Sequence, residues 1–571
     1  MPPRPNRASR PLLAAAIDAL ESRTLFSIPA APTDVTAVGV STDRIDVEWR
    51  DNATDETGFV VERANKNGPF VAIAQLPADT LLYVDVPAGA NPGDKFRYRV
   101  TAINDDGPSA AGVSNQTRVL PPGQAADVHT VDVPTTVPVG YEGDVLIEQP
   151  AHPDFLTPVG DDLYFVLSAT PYSAGEDGQQ LWKTDGNSTT LLYDGPVRDL
   201  IAPGDGSLLF VSGSELWRSD GTTAGTTAIV DLLPPFGFDP GITTLATLPN
   251  GTVLFSAGNR LWRTDGTSAG TAQIGDTPVD PSDGEIDLAP LLETVGDVLY
   301  FTGPNEFGQR SLWRSDGTEA GTFAIANAGV VTGLRAVGDT LFVAGTPGFP
   351  FFNQLSTVAP GATEATLVTE LPSGPPFISR VSDLTALGDR LFFNAPSGAE
   401  QFQSALWVSD GTAEGTYPVF SPADAPFGTD AILSMAAVGD EVYFVTGEFV
   451  GGNISSTPGS AALWRSDGTV EGTVRIRSLD NPLAFNVLSV PPAFAAEVDG
   501  QFVFHDNGNL WISDGTREGT VLVDYVGPTF DPNGDQYPGD FAGAGFAVIG
   551  DRVYYTAPDG QGGRQLRWTT V

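Results

Sequence analysis

Cysteine is absent from the 571 residues, and methionine and histidine are nearly so, with two and three copies. No disulfide, thiolate metal site or cysteine nucleophile can therefore form. Only His129, His152 and His505 offer an imidazole, too few and too scattered to suggest a triad or a metal cluster. Basic residues are also scarce. Against 71 Asp and Glu stand 29 Lys and Arg, for a formal net charge of −42. A field of that sign repels nucleic acid and anionic membrane surfaces, while favouring solubility and divalent cations. Nucleic acid is excluded as a partner. No run of about 18 apolar residues is present, so no transmembrane helix is expected. Hydrophobic residues still make up 41% of the chain, enough for a packed core despite the 65 Gly and 47 Pro.

One stretch recurs down most of the chain: Leu-Trp-Arg-Ser-Asp-Gly-Thr-x-x-Gly-Thr. It reads Leu216-Trp217-Arg218-Ser219-Asp220-Gly221-Thr222 with Gly225-Thr226, and it returns around Trp262, Trp313, Trp407, Trp464 and Trp511. A looser copy lies at Trp182, and a stump, Leu566-Arg567-Trp568, closes the series. Before each copy comes a second motif, Val159-Gly160-Asp161-Asp162-Leu163-Tyr164-Phe165 in the first unit and Val295-Gly296-Asp297-Val298-Leu299-Tyr300-Phe301 in the fourth. Together they define nine units of about 47 residues, in the range of four-strand blade repeats. The fifth is degenerate, with Gln354-Leu355-Ser356-Thr357 in place of the Trp motif. Consecutive apolar residues such as Leu-Trp fall on opposite faces of a strand. A sheet apolar on both faces must be covered on both sides, which radial stacking in a β-propeller achieves. The last unit stops at Val571 without a fourth strand, and the stretch Asp144–Gln149 is expected to supply it and close the ring. The array resembles the Leu-Trp-x-Ser-Asp-Gly-Thr-x-x-Gly-Thr repeats of bacterial extracellular proteins, a likeness that implies a propeller of eight or nine blades.

Residues 29–121 carry seven short candidate strands between turn signals: Val35–Ala37, Arg44–Trp49, Gly58–Arg63, Phe70–Ala74, Leu82–Val84, Phe96–Ala102 and Val113–Thr117. In Arg44–Trp49 the apolar residues alternate as a half-buried strand requires. With Trp49 and Tyr98 at their positions, the segment resembles a fibronectin type III domain, which implies a spacer or adhesive module. Residues 1–28 begin with Arg4, Arg7 and Arg10 and a short apolar run, the pattern of an export segment. Leu20-Glu21-Ser22-Arg23-Thr24-Leu25-Phe26-Ser27 resembles the Leu-Glu-x-Arg-x-Leu-Leu-Ser segment of large bacterial surface proteins, implying secretion or surface display. Pro121-Pro122-Gly123 opens a linker over 122–150, and the repeat array fills 151–571.

Seven repeated acids, Asp185, Asp220, Asp265, Asp316, Asp410, Asp467 and Asp514, invite reading as ligands or catalysts. The turn reading is stronger: Asp before Gly bonds its own backbone, and Gly supplies positive φ. Equivalent positions in a ring also stand far apart. The same holds for the repeat arginines Arg218, Arg263, Arg314 and Arg465, and the repeat tryptophans read as packing anchors. The motif is similar to the Asp-box turn of sialidases but departs from it, since Asp and Gly are adjacent and Trp precedes them. Asp531, Asn533 and Asp535 have the alternating oxygens of a calcium loop, without its downstream bidentate Glu. Calcium is the one cofactor this pattern suggests. Long connections at Gly345–Asn353 and Glu448–Ser460 are further places for function.

The whole reads as an all-β, extracellular or surface-displayed, monomeric protein that binds a protein or carbohydrate ligand without catalysis, an adhesin or scaffold. The alternative is an extracellular carbohydrate-active enzyme of the glycosidase or sialidase kind, with two channel carboxylates about 5–10 Å apart.

Overall fold

The computed structural model describes residues 27–571 apart from 67, 121–127, 143–144, 170–178, 233–241, 280–290, 306–309, 347–352, 373–380, 398–403, 422–430, 448, 451–452, 455–460, 480–494, 507–508, 527–545 and 560–563. Among these residues there is no helix, hence none long and apolar enough to cross a membrane. The architecture is all-β.

The N-terminal part is a sandwich. One sheet joins Thr33–Gly39, Ile45–Arg50 and Leu82–Asp85, and the other is built on Gly58–Asn65 paired with Val71–Pro77 and Lys95–Asn104. Its core gathers Val47, Trp49, Phe59, Val61, Tyr98 and Val100, the inward-facing positions of alternating strands. The seventh candidate strand is split into Gly112–Val113 and Thr117–Arg118, both paired with Lys95–Asn104. Between them the Ser114 hydroxyl accepts the Tyr98 N–H, so a side chain takes a place in the ladder.

Beyond the sandwich the described residues form nine four-stranded antiparallel sheets. Seven are made of four consecutive strands, and the seventh in chain order carries a small hairpin, Phe449–Val450 with Asn453–Ile454, between its second and third; the second sheet, for example, runs Arg198–Ile201, Leu208–Ser212, Glu215–Ser219, Thr227–Asp231. In its second strand, Leu208–Ser212, every residue is buried, and in the first, fourth and fifth sheets the Gly two residues before the second strand (Gly160, Gly296, Gly338) turns the chain at φ 55–61°. The degenerate fifth unit still makes a full sheet, because Val343 opposite Ser356 replaces the Phe opposite Trp of its neighbours and Leu355 stays fully buried.

The ninth sheet is completed by the other end of the sequence, though not by the expected strand. Phe546–Ile549, Arg552–Pro558 and Arg564–Thr570 are joined by Val128–Thr130, with His129 opposite Trp568. The expected stretch instead lies in Val145–Pro150, which forms a separate hairpin with Thr136–Glu142. The reason is reach. Val145–Pro150 leads within two residues into the first sheet, which opens at His152, so it is tied to that sheet's start; Val128–Thr130 lies upstream of the hairpin and is free to cross to the ninth. His129 stacks on the Trp568 ring at 4.1 Å, and Arg552 lies over the same ring at 4.5 Å.

Each sheet shares a hydrophobic core with the next. Val166 and Leu181 pack on Leu208 and Phe210 between the first and second sheets, and Ile512 and Val503 on Val553 and Tyr555 between the eighth and ninth. A further cluster joins Ala547, Tyr554 and Leu566 of the ninth sheet to Leu163 and Phe165 of the first.

Replacing Val128–Thr130 by a Gly-Ser stretch is expected to open the edge of Arg564–Thr570, read as faster amide hydrogen exchange there. The same replacement over Val145–Gln149 leaves that edge protected.

Candidate functional site

The repeated Ser-Asp-Gly-Thr-x-x-Gly-Thr segment folds into one closed hydrogen-bonded turn. In the second sheet, Asp220 Oδ1 accepts from the Thr222 N–H at 2.9 Å and from its hydroxyl at 2.7 Å. The Gly225 N–H donates to Thr222 Oγ1 at 2.9 Å, and the Thr226 hydroxyl donates to the Thr222 carbonyl at 2.8 Å. Ser219 and Thr226 share a hydroxyl contact at 2.8 Å, and the Gly221 N–H donates to Ser219 Oγ. The same circuit recurs at Asp265, Asp316, Asp410, Asp467 and Asp514. In the looser first copy, Asp185 accepts from the amides of Asn187 and Ser188. The sequence expectation holds: these carboxylates serve their own turns.

Both glycines are then required. Gly221 sits at φ 84°, and a Cβ there would meet Tyr164 of the first sheet at 2.7 Å from its hydroxyl. At Gly225 a Cβ would stand 2.0 Å from Asp220 Oδ1. The turn therefore reaches back onto the preceding sheet. Arg263 of the third sheet donates to the Gly317 carbonyl of the fourth, and Arg390 of the sixth to the Asp467 carbonyl of the seventh. Arg552 of the ninth donates to the Asp185 carbonyl of the first at 3.2 Å. The fifth unit lacks the motif and substitutes backbone: Ala326 N–H donates to Thr363 O, and Ala365 N–H to Ala326 O.

The repeat arginines are likewise used locally. Arg218 pairs with Asp205 at 2.6 Å, Arg314 lies over the Phe323 ring, and Arg465 bonds Glu441. The tryptophans stack on the Phe opposite them: Phe210 on Trp217 at 5.9 Å, Phe255 on Trp262 at 6.2 Å, Phe504 on Trp511 at 6.4 Å. His129 is the stacking partner of Trp568, and burial lowers the pKa of His152 at the start of the first sheet.

Asp531, Asn533 and Asp535 lie outside the described residues, as do residues 347–352 of the Gly345–Asn353 connection, residues 448, 451–452 and 455–460 of the Glu448–Ser460 connection and the whole of residues 1–26. Two features escaped the sequence reading. Asp51, Glu56 and Asp79 bring carboxylate oxygens within 4.8 Å of one another in the sandwich loops, a set that could hold a cation. Burial, with Glu56 and Asp79 adding to it, raises the Asp51 carboxyl. The first strands of the second and sixth sheets also place Asp199 and Asp383 each in an equivalent bulge of its own sheet, at φ 52° and 54°. Burial pushes both carboxyls up, against Arg198 at Asp199 and against Ser382 and Asn394 at Asp383. Neither bulge had a signal in the repeat motif.

No known protein family matches the chain. Among solved structures, an Fn3-like protein from Clostridium thermocellum is 26% identical over 17% of this chain and 96% of its own, with a TM-score of 0.14. An acylaminoacyl peptidase from Pyrococcus horikoshii is 11% identical over 66% of this chain and 52% of its own, with a TM-score of 0.34. A putative TolB from Agrobacterium tumefaciens is 14% identical over 43% of this chain and 85% of its own, with a TM-score of 0.25.

Gly270→Ala tests the turn directly. The backbone there is ordinary, so only the Cβ meeting the Asp265 carboxylate at 2.0 Å acts. Urea unfolding is expected to show a loss of about 1–3 kcal/mol, the usual size of an overpacked site. A pH series gives a second check. Hydrogen bonds from their own turns hold the carboxyls of Asp185, Asp220, Asp265, Asp410 and Asp467 below the ordinary 3.8. A lowered folded pKa stabilises above the unfolded value and is lost as pH falls through the folded one. The contribution of these turns to the thermal midpoint should be full from pH 7 down to about pH 4 and be lost below it; mutating one turn, Asp265→Asn, is expected to flatten that acid limb relative to the unaltered chain.

Proposed function

We propose that this chain is a secreted or surface-displayed binding or scaffold protein, in which a fibronectin type III module precedes a closed nine-bladed β-propeller. The observation that carries the non-catalytic reading is the turn circuit. The repeated Asp carboxylates accept their own Thr amides and hydroxyls, and the repeat arginines Arg218, Arg263 and Arg465 bond neighbouring strands and turns, so the repeat builds architecture. Sequential sheet-to-sheet cores, with the ninth sheet packed on the first, support a ring of nine blades. Ligand contacts are then left to the blade connections and the first strands. Fold alone names no ligand.

Asp199 and Asp383 favour a second reading. A carboxyl raised by burial is what a general acid needs. They stand on the second and sixth sheets, however, and a glycosidase requires two such groups within about 10 Å.

A glycan and peptide array with the full chain, run beside a panel of glycoside substrates, separates the two. Binding without turnover supports the scaffold; turnover abolished by Asp199→Asn or Asp383→Asn replaces it with the enzyme. The acidic loop has its own test. Calcium that binds the folded chain raises the thermal midpoint by mass action, and Asp531→Ala or Asp535→Ala is expected to remove the increase. No increase with the unaltered chain leaves these residues as loop acids.

A further inference from the structure

In the sandwich strand Ile45–Arg50, Ile45, Val47 and Trp49 enter the sandwich core, so Asp46 and Glu48 face the other way. On a free-standing module they would be solvated. Here Asp46, Glu48 and the preceding Arg44 are only 2%, 5% and 7% exposed. What covers them is the outer edge of the seventh and eighth sheets. Asp46 pairs with Arg44 at 2.7 Å and with Arg477 of the strand Val474–Leu479. Glu48 accepts from Arg517 at 2.7 Å, from Arg475 at 3.4 Å and from the Ser478 N–H at 3.0 Å. Arg517 belongs to the eighth repeat turn, and it also bonds Thr36 of the sandwich. Arg477 and Arg44 both lie over the Trp511 ring, at 4.8 and 5.3 Å. Val38 and Val40 enter the same apolar cluster as Tyr443, Phe502 and Trp511.

Burying charges in this number is costly unless each is paired, so the contact is specific to its partners. A spacer has no need of it. The position of the chain exit shows what the contact does. Leu522 N–H of the eighth sheet donates to Val40 O at 2.9 Å, and Leu120, the last described residue of the sandwich, donates to Ser41 O. The chain thus leaves the sandwich at its docked end. Residues 121–127 then lead to Val128, which opens the strand completing the ninth sheet. A connection of that length spans at most about 25 Å. Without docking, Val128–Thr130 would be held near Arg564–Thr570 from one side only, through Val131, Val137 and Ala151, which share a core with Leu566 of the ninth sheet, and the strand's other end would keep the freedom of a loose chain.

We propose that the N-terminal sandwich is a clamp that seats the closing strand: its Asp46 and Glu48, held by the arginines of the seventh and eighth sheets, place Val128–Thr130 beside the ninth. This goes beyond the binding function and stands whether or not a ligand is found. Docking tethers the strand at its second end as well and so raises its effective concentration at the ninth sheet.

The test is amide hydrogen exchange on the full chain carrying Asp46→Asn and Glu48→Gln together. Exchange in Arg564–Thr570 is expected to rise by about tenfold or more, while Gln180–Thr184 of the first sheet stays as in the unaltered chain and Gly58–Asn65 stays protected, showing that the sandwich itself is folded. If Leu522 exchanges faster while Arg564–Thr570 does not, the sandwich docks without seating the strand and the proposal fails. It fails equally if neither site changes. Should the double variant not fold, insertion of about 20 Gly and Ser residues after Gln124 decides the matter, since it lowers effective concentration and leaves every contact intact. Unchanged protection of Arg564–Thr570 in that chain overturns the clamp.

Discussion

The structure depends on one small circuit, the hydrogen-bonded turn made by Ser-Asp-Gly-Thr-x-x-Gly-Thr. An ionised carboxylate accepting an amide and a hydroxyl is a charge-assisted acceptor, stronger than a neutral one. In the sheets that carry it, it fixes the path between the third and fourth strands and leaves the first Gly of the motif bare of Cβ. That bareness lets the turn lie on the preceding sheet, where Tyr164, Arg218 or Arg390 fills the space a side chain would take. Local chemistry and sheet-to-sheet packing are therefore met by the same residues.

The fifth unit shows which part of this is dispensable. It has lost Trp, Asp and the Gly-Thr pair, yet it remains a four-stranded sheet. The apolar second strand, Leu341, Phe342 and Val343, still buries fully between its neighbours, and main-chain bonds to Ala326 replace the missing clip. Burial on both faces makes the sheet, and the turn sets how it sits on the one before.

Electrostatics divide along the same line. The chain carries a large negative charge, but the contact between sandwich and array gathers four arginines around two carboxylates. Burial alone would raise the Glu48 carboxyl, and Arg517, Arg475 and Arg477 outweigh it and lower its pKa. Against that acidic excess, the cationic edge of the seventh and eighth sheets accepts the acidic strand that the same chain provides.

Periodicity made the strands and the sandwich legible from residues alone, because alternation and consecutive apolar pairs follow from the two-residue repeat of a strand. The Asp-Gly turn was legible for the same local reason: an Asx carboxylate bonds amides two and three residues on, wherever the fold carries it. Three things were decided only by tertiary structure. Val128–Thr130 closes the ninth sheet although Asp144–Gln149 looks more strand-like, because the choice rests on which segment can reach the ninth sheet. Asp46 and Glu48 read as the solvated face of an alternating strand, and only docking makes them buried partners of Arg477 and Arg517. Asp199 and Asp383 gain raised carboxyls because the assembled sheets bury the bulges that carry them. Contacts within a few residues are written in the order of side chains; contacts between far segments depend on the geometry of the assembled sheets.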